Sequence, residues 1–180
     1  MPKIIDNIEE KISHTAFELF AEKGYKSVSM KIIAREVGIS VGTLYNYFLN
    51  KQGLFVSVFE KNIAQTYFLL NRIIEKKGST LEFVTTLYDE VERIQEFSSI
   101  IMGNKVDNEI FNEIRNHLLN KMKSLIYKVE EKENLKFSKI DEERIVHVLL
   151  LTIYDFTQNF PDEKEGNIAF TCNLVDKIKA

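Results

Sequence analysis

The sequence contains one cysteine, two prolines and seven glycines among its 180 residues. A single cysteine, Cys172, excludes an internal disulfide and indicates a reducing compartment. The opening MPKIIDNIEEK lacks the apolar run of a secretory signal, and the longest apolar block, VLLLTI, is far too short to cross a bilayer. These absences predict a cytoplasmic protein without a membrane segment.

Patterns typical of catalysis and of nucleotide binding are absent as well. The sequence has no glycine-rich phosphate loop, nucleophile elbow, dinucleotide fingerprint or cysteine pair. We therefore expect neither an enzyme nor a resident cofactor or metal. One alternative stays open: Glu113/His117 and Glu143/His147 are each four residues apart on segments of helical periodicity. Such pairs can hold a metal inside a helical bundle, as in a metal sensor or an enzyme.

The scarcity of proline and glycine favours helices. Pro161 is the only interior proline, and four of the seven glycines fall near the N-terminus, where they mark breaks between short helices. No segment of period two is bounded by hairpin signals. The sequence predicts an all-α protein with an N-terminal domain over residues 1–52 and a helical domain over residues 53–180.

Charge is distributed unevenly between these two parts. The net charge is -3, yet residues 1–52 hold seven Lys/Arg and six Asp/Glu, whereas the remainder holds 17 and 21. The first part therefore carries about +1 and the second about -4. A basic cluster in the first part is a candidate contact for phosphate. Its members are Lys23, Lys26, Lys31, Arg35 and Lys51, with Glu36 as the only acid between them.

Residues 29–48 predict a helix-turn-helix motif. Ser29 can cap one helix, Gly38 suits the left-handed residue that ends it, and Ser40 can cap the next. Two helices joined by a three-residue turn containing glycine form the arrangement in which the second helix enters the major groove of DNA.

The second helix of this motif has an apolar and a polar face. Its predicted buried stripe follows the i, i+3, i+4, i+7 pattern through Val41, Leu44, Tyr45 and Phe48. Tyr45, at the edge of that stripe, is expected to pack its ring inward and to direct its hydroxyl toward DNA. The outward positions offer hydroxyl and amide groups for phosphates and base edges, and a glycine that lets the backbone approach DNA closely. They are Gly42, Thr43, Asn46 and Tyr47.

A lysine follows this helix at the start of the next one. Asn50 can cap that helix, which places its exposed amides beside Lys51. An ammonium group and helix amides both attract a phosphate. We expect Lys51 to contact the DNA backbone.

The stretch SMKIIAREVGISVGTLYNYFLNKQGLF resembles the N-terminal domain of the tetracycline-repressor (TetR) family of bacterial transcription regulators, and HTAFELFAEKGYKSVSM resembles that family's first helix and loop. The resemblance covers about the first 60 residues. Ser29 and Tyr47 depart from the commoner threonine and histidine, which leaves base preference open. The resemblance implies DNA contacts from Lys31, Ser40, Gly42, Thr43, Tyr45, Asn46, Tyr47 and Lys51.

Beyond this motif, periodicity predicts five further helices, over residues 52–77, 81–101, 106–131, 141–160 and from Pro161 to residue 178. The last pair carries a broad apolar arc, IVHVLLLTIYDF, with Ile168, Cys172 and Val175 on one face of the final helix. Packing of these helices (about 139–179) against a second copy as a four-helix bundle is one interpretation. An intramolecular core is the other.

Binding energetics also favour a homodimer. One recognition helix offers few polar side chains that can contact bases, and each good base contact supplies about 1–3 kcal/mol of discrimination. Operators are preferred over other DNA by about 4–10 kcal/mol. Two copies would read a palindromic double-stranded operator with half-sites about 34–36 Å apart.

The resemblance further implies a small-molecule effector that releases the DNA, as expected of a repressor. Ten of the 13 phenylalanines lie after residue 52, and an aromatic lining would suit a lipophilic or flat effector, although aromatic residues at helical spacing are ordinary core. No pocket residue can be named from the sequence. A DNA organiser that responds to no ligand stays open as a further alternative.

Overall fold

The computed structural model describes residues 7–94 and 109–179, with the side chains of 109–111 excepted. These residues form eight α-helices and one short 3-10 helix and contain no strand, which confirms the all-α prediction. The helices are α1 (Ile8–Ser27), α2 (Met30–Val37), α3 (Val41–Tyr47), α4 (Lys51–Glu75), α5 (Thr80–Arg93), α6 (Glu109–Glu133), α7 (Lys139–Asn159) and α8 (Lys164–Lys179), with the 3-10 helix over Pro161–Glu163.

The chain divides into two compact units, Met1–Asn62 and Ile63–Ala180. The division falls within α4, further along the chain than the boundary that we place after residue 52. The first part of α4 packs on the N-terminal helices, because the Phe55 ring lies 5.2 Å from that of Phe20 and 4.8 Å from that of Tyr25. Leu54, Phe55, Val58 and Phe59 are accordingly all buried.

The start and end of α1 show what local signals determine. Asn7 is its N-cap residue, but it adopts a left-handed conformation and its side chain makes no capping bond. Its amide donates to the Glu10 carboxylate instead. Gly24 interrupts the helix, because its φ of 72° and ψ of 157° form a kink before the last turn.

The second unit, Ile63–Ala180, is built around one apolar cluster. α5 packs on α7 and α8, and α7 also packs on α6 and α8. The centre includes Leu70, Tyr88, Leu125 and Ile153, each no more than 1% exposed. Predicted positions 95–101 and 106–108 lie outside the described residues.

The structure decides between an intramolecular core and a second copy for one face of the last helix. Ile168 belongs to the apolar cluster of the same chain, and Cys172 and Val175 pack against it. The intramolecular alternative is therefore correct for this face of α8.

Candidate DNA-binding surface

The turn between α2 and α3 is set by backbone hydrogen bonds around Gly38. Its φ of 80° and ψ of 33° are left-handed, a conformation that favours glycine. The Gly38 N–H donates to the carbonyls of Ala34 and Arg35 at 3.0 and 3.1 Å, and the Ile39 N–H donates to Ala34 at 2.9 Å. Ser29 caps α2 by accepting from the Ile32 N–H at 3.3 Å. The predicted helix, cap and turn are all present.

The orientation of α3 is determined by its N-terminal cap and by the buried side chains on its inner face. Ser40 caps it by accepting the Thr43 N–H at 2.9 Å, and the two hydroxyl oxygens lie 2.8 Å apart. Leu44 is 0% exposed and Phe48 is 9% exposed. The rotation of α3 about its axis is therefore determined by these two apolar side chains, whichever ligand meets the opposite face.

The outer face of α3 carries three polar side chains in a row. Tyr45 and Tyr47 are 46% and 44% exposed, and Asn46 is exposed between them. Among the described residues, none of these three side chains has a hydrogen-bond partner. The expected inward packing of the Tyr45 ring is thus wrong: inner contact is supplied by Leu44 and Phe48, and Tyr45 belongs to the outer face. These groups are available to an external ligand.

Gly42 lies on the same exposed face, near the start of α3. A Cβ added there would meet only the Ser40 hydroxyl, at an ordinary contact distance of 3.7 Å, and its φ is not positive. Neither space nor backbone conformation inside the protein requires glycine. Alanine would also favour a helix more strongly. Any requirement for glycine at this position must therefore come from a binding partner and not from the fold.

The exposed cations of the first unit differ in how far they are engaged. Arg35 pairs with Glu36 at 3.1 Å and Lys23 lies 3.8 Å from Glu22, so both are partly neutralised. Lys31, at the start of α2, is exposed and makes no ion pair within the described part of the chain. Lys31 is therefore the better phosphate candidate on α2.

Comparison with known proteins shows which family shares this helix-turn-helix. Residues 12–58, which include α2, the turn and α3, match the family model of bacterial regulatory proteins of the tetR family. Residues 12–58 belong to this family. The match confirms the resemblance, and the relatives that share this part of the chain are named as transcriptional regulators.

Two curated relatives of this chain come from Bacillus subtilis. The uncharacterized HTH-type transcriptional regulator YuxN is 34% identical over 51% of this chain and 33% of its own length. The fatty acid metabolism regulator protein is 32% identical over 40% of this chain and 37% of its own. The chain thus matches about a third of the length of these relatives.

Solved structures extend the likeness along the chain at the level of fold. The crystal structure of the transcriptional regulator FadR from Bacillus subtilis, in complex with stearoyl-CoA, superposes with a TM-score of 0.70. It covers 96% of this chain and 98% of that one at 19% identity. The chain therefore shares the overall fold of that regulator.

Lys51 has a role that the sequence did not indicate. Its ammonium donates to the carbonyls of Tyr25 and Val28 at 2.8 and 2.9 Å and lies 4.1 Å from the centre of the Tyr25 ring. Burial lowers the pKa of Lys51. The group therefore ties the segment after the Gly24 kink to the start of α4, with at most one N–H left for a phosphate.

A second lysine positions the motif from α1. Lys11 donates to the carbonyl of Val37 at 2.8 Å, which satisfies the end of α2. The two residues are 26 positions apart, so no local pattern in the sequence points to this contact.

Two side chains of the histidine-glutamate pairs considered above as metal ligands contact other groups of the protein. A His147 ring nitrogen lies 2.8 Å from the backbone carbonyl of Glu143, and the Glu143 carboxylate pairs with Lys123 at 3.4 Å. Over residues 7–94 and 109–179, no three His, Cys, Asp or Glu side chains converge on one point suited to a metal.

Nor does any helix in those ranges combine the length and apolar character needed to cross a membrane.

Proposed function

We propose that the chain is a homodimeric transcriptional regulator, a repressor, that binds a palindromic double-stranded operator through α3 and is released by a small-molecule effector. The observation that carries this proposal is the outer face of α3, where Tyr45, Asn46 and Tyr47 lie exposed without partners in the described chain. Asparagine pairs with adenine edges and tyrosine hydroxyls bind phosphates.

The proposed contacts comprise base readers and phosphate contacts. Asn46 and Tyr47 are the proposed readers of base edges, with Gly42 allowing close approach of the backbone. Lys31 and Tyr45 are the proposed phosphate contacts. Ser40 caps α3 and its hydroxyl bonds to that of the half-buried Thr43, so the contribution of both residues is to hold the start of the helix. Lys51 contributes chiefly by holding the motif together.

A second copy fits the outward faces of the last two helices. On α8 the exposed positions Gly166, Ala169, Phe170 and Asn173 follow i, i+3, i+4 and i+7, a continuous stripe. Gly166 and Ala169 are small enough for close helix packing, and Phe170 is 58% exposed. On α7, Val148 and Leu151 are 42% and 47% exposed. A four-helix bundle formed with the partner's copies would cover both faces.

An effector requires a cavity, and the second unit contains one of about 240 Å³. Phe83 and Phe137 line it, but most of the wall is aliphatic. The expected aromatic lining is therefore only partly present. The FadR structure was determined with stearoyl-CoA, which supports an effector with an acyl or other apolar part for the present chain.

Selection of duplexes from a random-sequence pool by the purified full-length protein tests the proposal. We expect the enriched duplexes to contain an inverted repeat with half-site centres about one helical turn, or a multiple of it, apart. Sedimentation of the protein with such a duplex should give two chains per site. Failure to enrich any sequence, or enrichment of a single unrepeated site bound by one chain, would contradict the proposal.

A further inference from the structure

The cavity of the second unit has apolar walls and a charged rim. Its walls include Leu125, Val129, Val146 and Leu149, contributed by α6 and α7. The charged residues that line it are Lys77, Lys132, Glu133 and Lys179. A pocket with apolar walls and a few polar groups at one edge is typical of a small-molecule site.

Most charges at this rim are already paired within the chain. Lys132 donates to the Glu75 carboxylate at 2.8 Å and to the carbonyls of Ile74 and Glu75 at 3.2 and 3.1 Å, which satisfies the end of α4. Lys179 pairs with Glu133 at 2.7 Å. Neither lysine is therefore available to a ligand without breaking an existing contact.

Lys77 is the exception at the rim. It makes no ion pair or side-chain hydrogen bond with any other residue in the described ranges. Its backbone is fixed, because it is left-handed there with a φ of 54° and the next N–H, of Gly78, donates to the Ile73 carbonyl at 2.8 Å, whereas its side chain is exposed. A cation that has no acceptor in the described chain therefore borders an apolar cavity.

The volume limits what the cavity can hold. A dry cavity of about 150 Å³ holds benzene, with six non-hydrogen atoms. In proportion, the 240 Å³ present here accommodates an apolar group of about ten non-hydrogen atoms. This is shorter than the chain of a long fatty acid.

We propose that this cavity binds an amphiphilic monoanion whose apolar body, of about ten non-hydrogen atoms, fills the cavity while its carboxylate or other anionic group meets Lys77. The inference rests on the proposed function for the role of this ligand as effector, but the binding event itself is independent of DNA. Aliphatic and aromatic acids of this size share the required chemistry.

Calorimetric titration of the full-length protein with decanoate, phenylbutyrate and the uncharged decanol tests the ligand class. We expect one acid molecule per chain, with decanol binding about fivefold more weakly because an exposed ion pair is lost. A preference for phenylbutyrate over decanoate would assign the site to aromatic acids, and the reverse preference to aliphatic acids. Equal affinity for decanoate and decanol, or tighter binding of hexadecanoate than of decanoate, would overturn the proposal.

Two pairs of variants locate the site. Lys77→Met should abolish the difference between decanoate and decanol, whereas Lys76→Met, which changes the same charge at a neighbour that does not line the cavity, should preserve it. Val175→Phe should fill the cavity and weaken both probes at least about tenfold, whereas Leu81→Phe, at a position 57% exposed, should not. Unchanged binding in both Lys77→Met and Val175→Phe would refute the assignment.

Binding of a selected duplex, measured separately by fluorescence anisotropy, distinguishes this inference from the proposed function. Duplex binding without any acid binding would refute the ligand assignment alone. Acid binding by a protein that binds no duplex would support the ligand assignment and contradict the proposed regulator.

Discussion

Replacing Gly42 by alanine separates the needs of the fold from those of DNA binding. In the protein alone the added methyl meets only the Ser40 hydroxyl, at 3.7 Å, so it causes no clash. Alanine stabilises a helix over glycine by about 0.5–1 kcal/mol at interior positions, and by less near an end. We therefore expect the free energy of urea-induced unfolding to stay equal or to rise by up to about 1 kcal/mol.

In the complex the same methyl would separate α3 from the duplex. Loss of one good base contact costs about 1–3 kcal/mol, so we expect affinity for a selected duplex to fall at least about fivefold. Fluorescence anisotropy with a labelled duplex measures this affinity, and circular dichroism in urea measures stability. Wild-type affinity in Gly42→Ala would refute the reasoning that position 42 lies against DNA.

Two further substitutions test other parts of the account. Lys51→Met removes charged hydrogen bonds to two carbonyls, each worth about 1.5–3 kcal/mol when fully made. Because the lysine is partly exposed, we expect the free energy of urea-induced unfolding to fall by about 2 kcal/mol. Lys31→Met, at an exposed position, should lower DNA affinity and leave the stability unchanged. An equally stable Lys51→Met protein would contradict the assigned clamp. Phe170→Glu should convert the proposed dimer to monomers in sedimentation analysis, because the ring is 58% exposed and is assigned to the partner interface; a dimer that persists in this variant would place the interface elsewhere.

The helix-turn-helix could be predicted from sequence because its determinants are local. Ser29, Gly38 and Ser40 act on neighbours within four residues, and the structure shows each in the expected cap or turn. The buried positions of α4 from Leu54 to Ile74 also follow the helical period, since that helix has one face against apolar neighbours.

What could not be predicted depends on contacts between distant residues. Lys51 finds its acceptors 23 and 26 positions earlier in the chain, and Lys11 finds Val37 26 positions later. Periodicity also cannot say which residue at the edge of a stripe is covered, as Tyr45 shows. The apolar face of α8 raised the same difficulty, because a helical period does not reveal whether the same chain or a second copy covers it.

Affinity of the double variant Asn46→Ala/Tyr47→Ala for a selected duplex, compared with a random duplex of equal length, tests the reading role of α3 most directly. Both side chains are exposed, so stability should change by less than about 0.5 kcal/mol. We predict that affinity for the selected duplex falls at least about a thousandfold, to that of the random duplex. A folded variant that still prefers the selected duplex as strongly as the wild type would contradict the account.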